Sequence, residues 1–375
     1  MTRILYPSTA SSGYKSQPPS IGCGLCGKSD NNPFQCPNCK VMFYCNGEHQ
    51  KAHNEAHQPA CHAVCKLGAR LESEERLLRA PFPYSWLRGD IFKNYEGIFW
   101  GLLETREYMR ARLDLVDALG GINTRVSVQA QVEHLLDMLR LCRSDNMGVR
   151  NMVPPLLLRL NKDQECYDFI KWWQTTGRQA AYDYGNTSLP YLDTRNANVF
   201  ESVDELFSIS IHRHQHQHQH QNQQYKYYEH GFNLTNIVAV TLLKIKLMLD
   251  LEALQNTTLV GRKVPREILD GIQKHVVRSS VISLDRKLRE RGDHSAYLDA
   301  LTRQVYNLYF TVEMANSYFW PCLLNPGPHL AALPVAYSHG SIEEMQLVLQ
   351  YSYKPWVETP GAIDIIKRIM AADVM

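Results

Sequence analysis

The sequence predicts a small cysteine- and histidine-rich module joined to a long all-α region. Three observations carry that reading. Seven of the ten cysteines fall between Cys23 and Cys65, interleaved with histidines. Beyond Cys65, apolar residues recur at the 3.6-residue period of a helix. Convincing alternation at period 2, the mark of half-buried strands, is scarce over the same stretch. Composition agrees: of 375 residues, 44% are hydrophobic and 21% charged, near the globular average. Forty basic against 38 acidic residues leave a net charge of +2, which gives no general field for nucleic acid or an anionic membrane. No apolar run reaches the ~20 residues that span a bilayer. The stretch from Met1 to Ser20 lacks the apolar core of a secretory signal. An intracellular protein, cytoplasmic or nuclear, is therefore expected, with residues 1–22 as a disordered tail.

The first module is read from its spacing. Cys23-x2-Cys26 and Cys36-x2-Cys39 are two knuckles separated by nine residues, each able to grip one face of a tetrahedral ion. Cys45 and His49, then His57 and Cys61, follow at i, i+4, a spacing that on a helix stacks both side chains on one face. Eight ligands in four pairs make two closed four-coordinate zinc sites, structural rather than catalytic. The metal is physically required. About 40 residues cannot bury enough apolar surface to offset their chain entropy, and zinc adds on the order of 10 kcal/mol per site.

These residues resemble a MYND-type zinc finger. That family reads C-x2-C, a spacer, C-x2-C, an aromatic–Cys pair, three residues to Cys or His followed by Gln, then H-x3-C. Here the elements are Cys23/Cys26, Cys36/Cys39, Tyr44-Cys45, His49-Gln50 and His57-x3-Cys61, spanning residues 23–61. The resemblance implies an interleaved cross-brace, with Cys23, Cys26, Cys45 and His49 on one zinc and Cys36, Cys39, His57 and Cys61 on the other. A sequential pairing would give one all-cysteine site and one site of two cysteines and two histidines. It further implies that Gln50 is a partner-binding residue. The family's usual Trp four residues after Gln50, which helps line a shallow groove for proline-rich peptides, is Asn54 here. His53 and Cys65 continue the same four-residue rhythm but are expected as helix neighbours, because the eight family positions already fill both sites. His62 is expected as a bystander. Four Lys and no Arg against three acidic residues in 23–66, with six thiolates, favour a protein partner over direct contact with nucleic acid.

The helical remainder is predicted in halves, 66–177 and 233–375, forming one domain. Val132, Leu135, Leu136, Leu139 and Cys142 make one stripe. A polar turn at Ser144-Asp145-Asn146 precedes Val149 to Leu160, whose helix is expected to begin near Pro154-Pro155. Asp163 is expected to cap a helix carrying Cys166, Phe169, Ile170 and Trp173. The segment Asp145 to Trp173 resembles a tetratricopeptide-type pair, so an irregular or tetratricopeptide-like bundle or solenoid is the expected architecture. Ile237 to Leu254, apolar nearly all round, reads as a buried central helix. Pro265 opens a stripe of Ile268, Leu269, Ile272 and Val276. Another runs through Leu301, Val305, Leu308, Val312 and Ala315 to a stop at Trp320-Pro321, and Ser341 with Glu344 forms a capping box. Residues 178–232 read as a turn-rich insertion containing the His/Gln run from His212 to Gln224, whose composition reads as disordered rather than as a sensor.

No enzymatic signature appears. The chain lacks GxSxG and HExxH patterns. Some MYND fingers sit inside SET-type lysine methyltransferases, but the Gly-rich strand before the finger and the Asn-His-Ser-Cys-like motif after it are missing. Cys142 and Cys166 lie on apolar faces and read as inert thiols. The expectation is a non-enzymatic protein–protein interaction adaptor holding two zinc ions. The alternatives are a transcriptional or chromatin regulator recruiting corepressors and, at low weight, a lysine methyltransferase.

Overall fold

The computed structural model describes residues 18–29, 33–80, 87, 89–207, 233–261, 268, 271–273 and 276–373. The His/Gln run, most of the proposed N-terminal tail, Pro265 and Leu269 lie outside the described residues. The chain divides into two units, one of residues 1–160 and 181–191, the other of residues 161–180 and 192–375.

In the first unit a two-stranded antiparallel hairpin, β1 (Phe34–Gln35) and β2 (Phe43–Tyr44), leads into the 33-residue helix α1 (Gly47–Arg79). Asn46 caps it by accepting from the His49 amide at 2.9 Å, and Arg76 and Arg79 sit in its last turn, where the dipole favours cations. The expected boundary between residues 61 and 66 therefore falls inside one continuous helix. The second half of α1 packs on α2 (Arg106–Gly120), which packs on α3 (Arg125–Leu141). Arg70 pairs with Asp114 at 2.5 Å and with Glu107 at 3.4 Å, so these two acids bind α1 instead of merely facing water. Of the α3 stripe, Val132, Leu135, Leu139 and Cys142 are buried and Leu136 is half-buried. The Ser144–Asn146 turn is present, with Asp145 at φ 53° and its buried carboxylate accepting from the amides of Val149 and Arg150. A 3-10 turn follows, and α4 (Val153–Arg159) starts at the prolines as expected. The returning segment 181–191 is anchored by Arg143, whose guanidinium donates to the carbonyls of Asn186, Thr187 and Leu189.

The second unit is built around α6 (Leu234–Gly261), with α5 (Asp163–Gln174) and α7 (Ser295–Ala315) packed against it. Ile237, Val238, Val240, Leu242, Leu243 and Ile245 are fully buried, as the all-round apolar pattern demands. Two lysines of the same helix, Lys244 and Lys246, are buried as well. Here Asp163 departs from expectation. It is the first residue of α5, whose cap position is Lys162, and its buried carboxylate is held by Lys246 at 2.7 Å instead of by its own helix. An unpaired buried ammonium costs far more than a missing cap, so the ion pair wins the carboxylate.

The α7 stripe is buried as expected, but the helix ends at Asn316, before Trp320-Pro321. Those two residues open a separate short helix, α8 (Phe319–Leu324), where Pro321 sits in the first turn and needs no donor. Trp320 stacks on Tyr309 with ring centroids 5.4 Å apart and meets Trp356 edge-on. The Ser341 hydroxyl caps α9 (Ile342–Glu358) through the Glu344 amide, while Glu344 reaches back to Gly340, one residue earlier than an ordinary capping box. Helix α10 (Ala362–Asp373) completes the unit. Ile268 and Ile272, expected on a buried face, are exposed. Among the described residues no helix is long and apolar enough to cross a membrane.

Candidate metal centre

Two turns and one helix start place the eight donors. After Cys23 the chain turns back, with the Gly27 amide bonded to the Cys23 carbonyl at 2.8 Å and Gly27 at φ 72°. After Cys36 the same turn recurs: the Lys40 amide meets the Cys36 carbonyl at 3.1 Å and Lys40 stands at φ 60°. Each knuckle thus needs a left-handed residue four positions after its first cysteine, met once by glycine and once by a strained lysine. The hairpin then delivers Cys45. Its expected helical stacking with His49 does not hold, because Cys45 precedes the cap Asn46 and the pair straddles the start of α1. His57 and Cys61 do lie one turn apart inside α1.

The donors gather into two groups, Cys23, Cys26, Cys45 and His49 in one and Cys36, Cys39, His57 and Cys61 in the other, with all ligand atoms of a group within 4.8 Å of one another. This is the interleaved arrangement, and it rules out the sequential one. The edges fit a zinc tetrahedron. With Zn–S near 2.3 Å and Zn–N near 2.1 Å, sulfur–sulfur edges of about 3.8 Å and sulfur–nitrogen edges of about 3.6 Å are required. The Sγ atoms of Cys26 and Cys45 are 3.6 Å apart and those of Cys36 and Cys61 are 3.8 Å apart. Cys23 Sγ lies 3.3 Å from His49 Nδ1, and Cys39 Sγ lies 3.4 Å from His57 Nε2. The two histidines thus present different ring nitrogens.

Electrostatics point the same way. The Cys26 thiol beside it pushes Cys45 up to about 11, and burial, reinforced by Cys39 and Cys36, pushes Cys61 higher still. Cys23 and Cys36 go the other way, because the amides around each outweigh its burial and hold the thiol low, Cys23 at about 6; each group thus pairs a readily ionised thiol with one that a divalent cation must help to ionise. The second site is buried at all four residues, whereas in the first Cys26 is exposed and Cys45 and His49 are half-buried.

The neighbours in register have other tasks. His53 Nδ1 meets the hydroxyl of fully buried Tyr44 at 3.1 Å, and its ring stacks on His57 with centroids 5.9 Å apart. His53 supports a ligand without being one. Cys65 and His62 belong to neither group. On the other side, the Thr124 hydroxyl donates to the carbonyl of buried Val41 at 2.6 Å, fastening the second knuckle to the α2–α3 turn. Ser20 pairs with Asn123 and Arg125 at that turn, although it lies in the stretch read as a disordered tail. No sequence pattern announced these contacts, because a hydroxyl reaching a carbonyl 83 residues away leaves no periodic trace. Gln50 and Asn54 lie one helical turn apart on α1, half-buried and exposed respectively.

Residues 23–61 match the family model of the MYND finger. No curated protein and no solved structure matches the chain. With two interleaved Cys3His groups at zinc-tetrahedron distances, residues 23–61 are a MYND finger that binds two zinc ions.

Proposed function

We propose that the chain is a non-enzymatic adaptor whose zinc finger docks a protein partner in an orientation fixed by the helical unit behind it. The observation that supports this most is the closed donor set. All four positions around each zinc are met by side chains of the finger, leaving none for a substrate or an activated water. The shared helix α1 and the Thr124–Val41 bond make the finger a fixed extension of its unit. We place partner docking on the α1 face carrying Gln50 and Asn54. Asn54 offers hydrogen bonds where the family's Trp offers a ring for proline, so this surface takes proline-rich segments with polar residues beside the prolines.

The test compares full-length wild type, Cys36→Ser and the double variant Gln50→Ala/Asn54→Ala against an array of proline-rich and polar-substituted peptides. Binding by wild type should be lost in both variants, while the double variant keeps two zinc ions per chain. Undiminished binding by the double variant would move the docking face elsewhere. Stoichiometric binding of S-adenosylmethionine to the wild-type chain would overturn the non-enzymatic reading.

A further inference from the structure

Within the second unit, the stretch Asn196–Glu201 is held chiefly through its backbone, by side chains from three helices. Asp168 of α5 accepts from two successive amides, those of Asn196 and Ala197, both at 2.9 Å. Gln164, one turn earlier, donates to the Ala197 carbonyl at 3.0 Å. The buried Lys244 ammonium on α6 donates to the carbonyls of Val199 and Glu201, and Gln304 on α7 donates to that of Phe200 at 3.2 Å. Val199 and Glu201 are the side chains of the stretch held most fully, while the Phe200 ring meets Tyr297 of α7 edge-on at 4.9 Å. Val199 is buried, and the Glu201 carboxylate is clamped by the Lys171 ammonium at 2.5 and 2.7 Å and the Tyr167 hydroxyl at 2.5 Å.

That division of labour is how a groove reads a short peptide: main-chain bonds supply affinity, and a few pockets supply specificity. The stretch makes little regular structure of its own. Asn196 stands at φ 54°, and one turn closes from Asn198 to Glu201. Gln304 is buried beside the stretch.

We propose that α5, α6 and α7 form a peptide-docking groove, occupied in this chain by its own residues 196–201 and open to a partner segment that displaces them. The partner chemistry is set by the two anchors: a β-branched aliphatic residue followed two positions later by a carboxylate. A covalently attached occupant competes at an effective concentration in the millimolar range, so a partner in trans binds weakly until the internal segment is weakened.

The test uses the full chain and a fluorescein-labelled decapeptide of residues 194–203. In wild type, fluorescence anisotropy should show weak binding. In the double variant Val199→Ala/Glu201→Ala, which weakens only the internal occupant, affinity should rise about 10-fold or more. Adding Lys171→Ala to that background should abolish the gain. A folded double variant without saturable binding overturns the proposal. Should that variant fail to fold, hydrogen exchange of the wild type decides. The amides of Asn196 and Ala197 must open more readily than those of α6, and exchange only through global unfolding overturns the proposal.

Discussion

Replacing Cys36 by Ser removes one of four donors from the buried site, and the structure dictates how far the damage spreads. The metal contributes on the order of 10 kcal/mol per site, more than a finger of this size retains by any other means. The hairpin and the start of α1 should therefore unfold together. Beyond Cys61, α1 has its own support: Val64, Leu71 and Leu78 are buried, and Arg70 is paired to Asp114. The break should fall near Cys61, costing helix over Gly47 to Cys61. Those residues are about 4% of the chain, so far-ultraviolet dichroism should fall only slightly. Hydrogen exchange resolves it. Protection should vanish from Gly47 to Cys61 and persist from Leu71 to Arg79 and across α2, with zinc content below two per chain. Loss of protection through all of α1 and α2 would mean that the finger supports the helical unit. Unchanged protection from Gly47 to Cys61 would mean that the metal is dispensable.

Four further outcomes follow from particular contacts. A chelator should attack the site containing exposed Cys26 first, and in Cys36→Ser, where hairpin and helix start unfold together, it should remove all bound zinc faster than from wild type. Gly27→Ala should cost about 1 kcal/mol and Lys40→Gly should gain up to about 1 kcal/mol in thermal unfolding, because both positions are left-handed and a Cβ on Gly27 would touch nothing. Burial pushes the Asp145 carboxyl from 3.8 to about 6. An acid raised on folding is protonated first in the folded chain, so stability should fall by about 3 kcal/mol as pH rises from about 4 to about 6. In Asp145→Asn that slope should disappear from the pH dependence of denaturant unfolding. Pro59 lies inside α1 between His57 and Cys61 of one site. Its penalty of about 3 kcal/mol falls only on the helical, metal-bound form, so Pro59→Ala should tighten zinc at that site by up to about 100-fold in competition titrations.

What the sequence made legible is what repeats or what chemistry forbids elsewhere. Eight Cys and His at family spacing have no reading but metal, and the stripes through Val132 to Cys142 and Leu301 to Ala315 have no stable place but a core. Three kinds of feature stayed hidden. One is competition for a side chain: Asp163 has the right type and position for a cap, and only the fold brings Lys246 to claim it. Another is helix continuity. Pro59 and the end of the motif at Cys61 argue for a break, while the apolar positions that carry α1 onward, Val64, Leu71 and Leu78, are too sparse to declare a long helix. The third is backbone satisfied by distant side chains. Thr124 to Val41, Arg143 to residues 186–189 and Lys244 to Val199 each spend one polar group across more than forty residues, leaving no period to detect.

These hidden features share a consequence for the finger. A cross-brace couples residues from both ends of a short segment, so neither zinc site forms until hairpin and helix start are both in place. That makes the finger cooperative in itself. The continuity of α1 adds a second dependence, since packing on α2 holds the helix on which His57 and Cys61 depend. Packing and metal therefore meet on one element from opposite ends, with Pro59 lowering helix stability between them. Zinc occupancy and the order of α1 are then linked quantities: whatever steadies the helix tightens the metal, and whatever removes the metal frees only the half that packing does not hold. An isolated finger would lack the second support, so its zinc affinity should be lower than that of the same residues in the full chain.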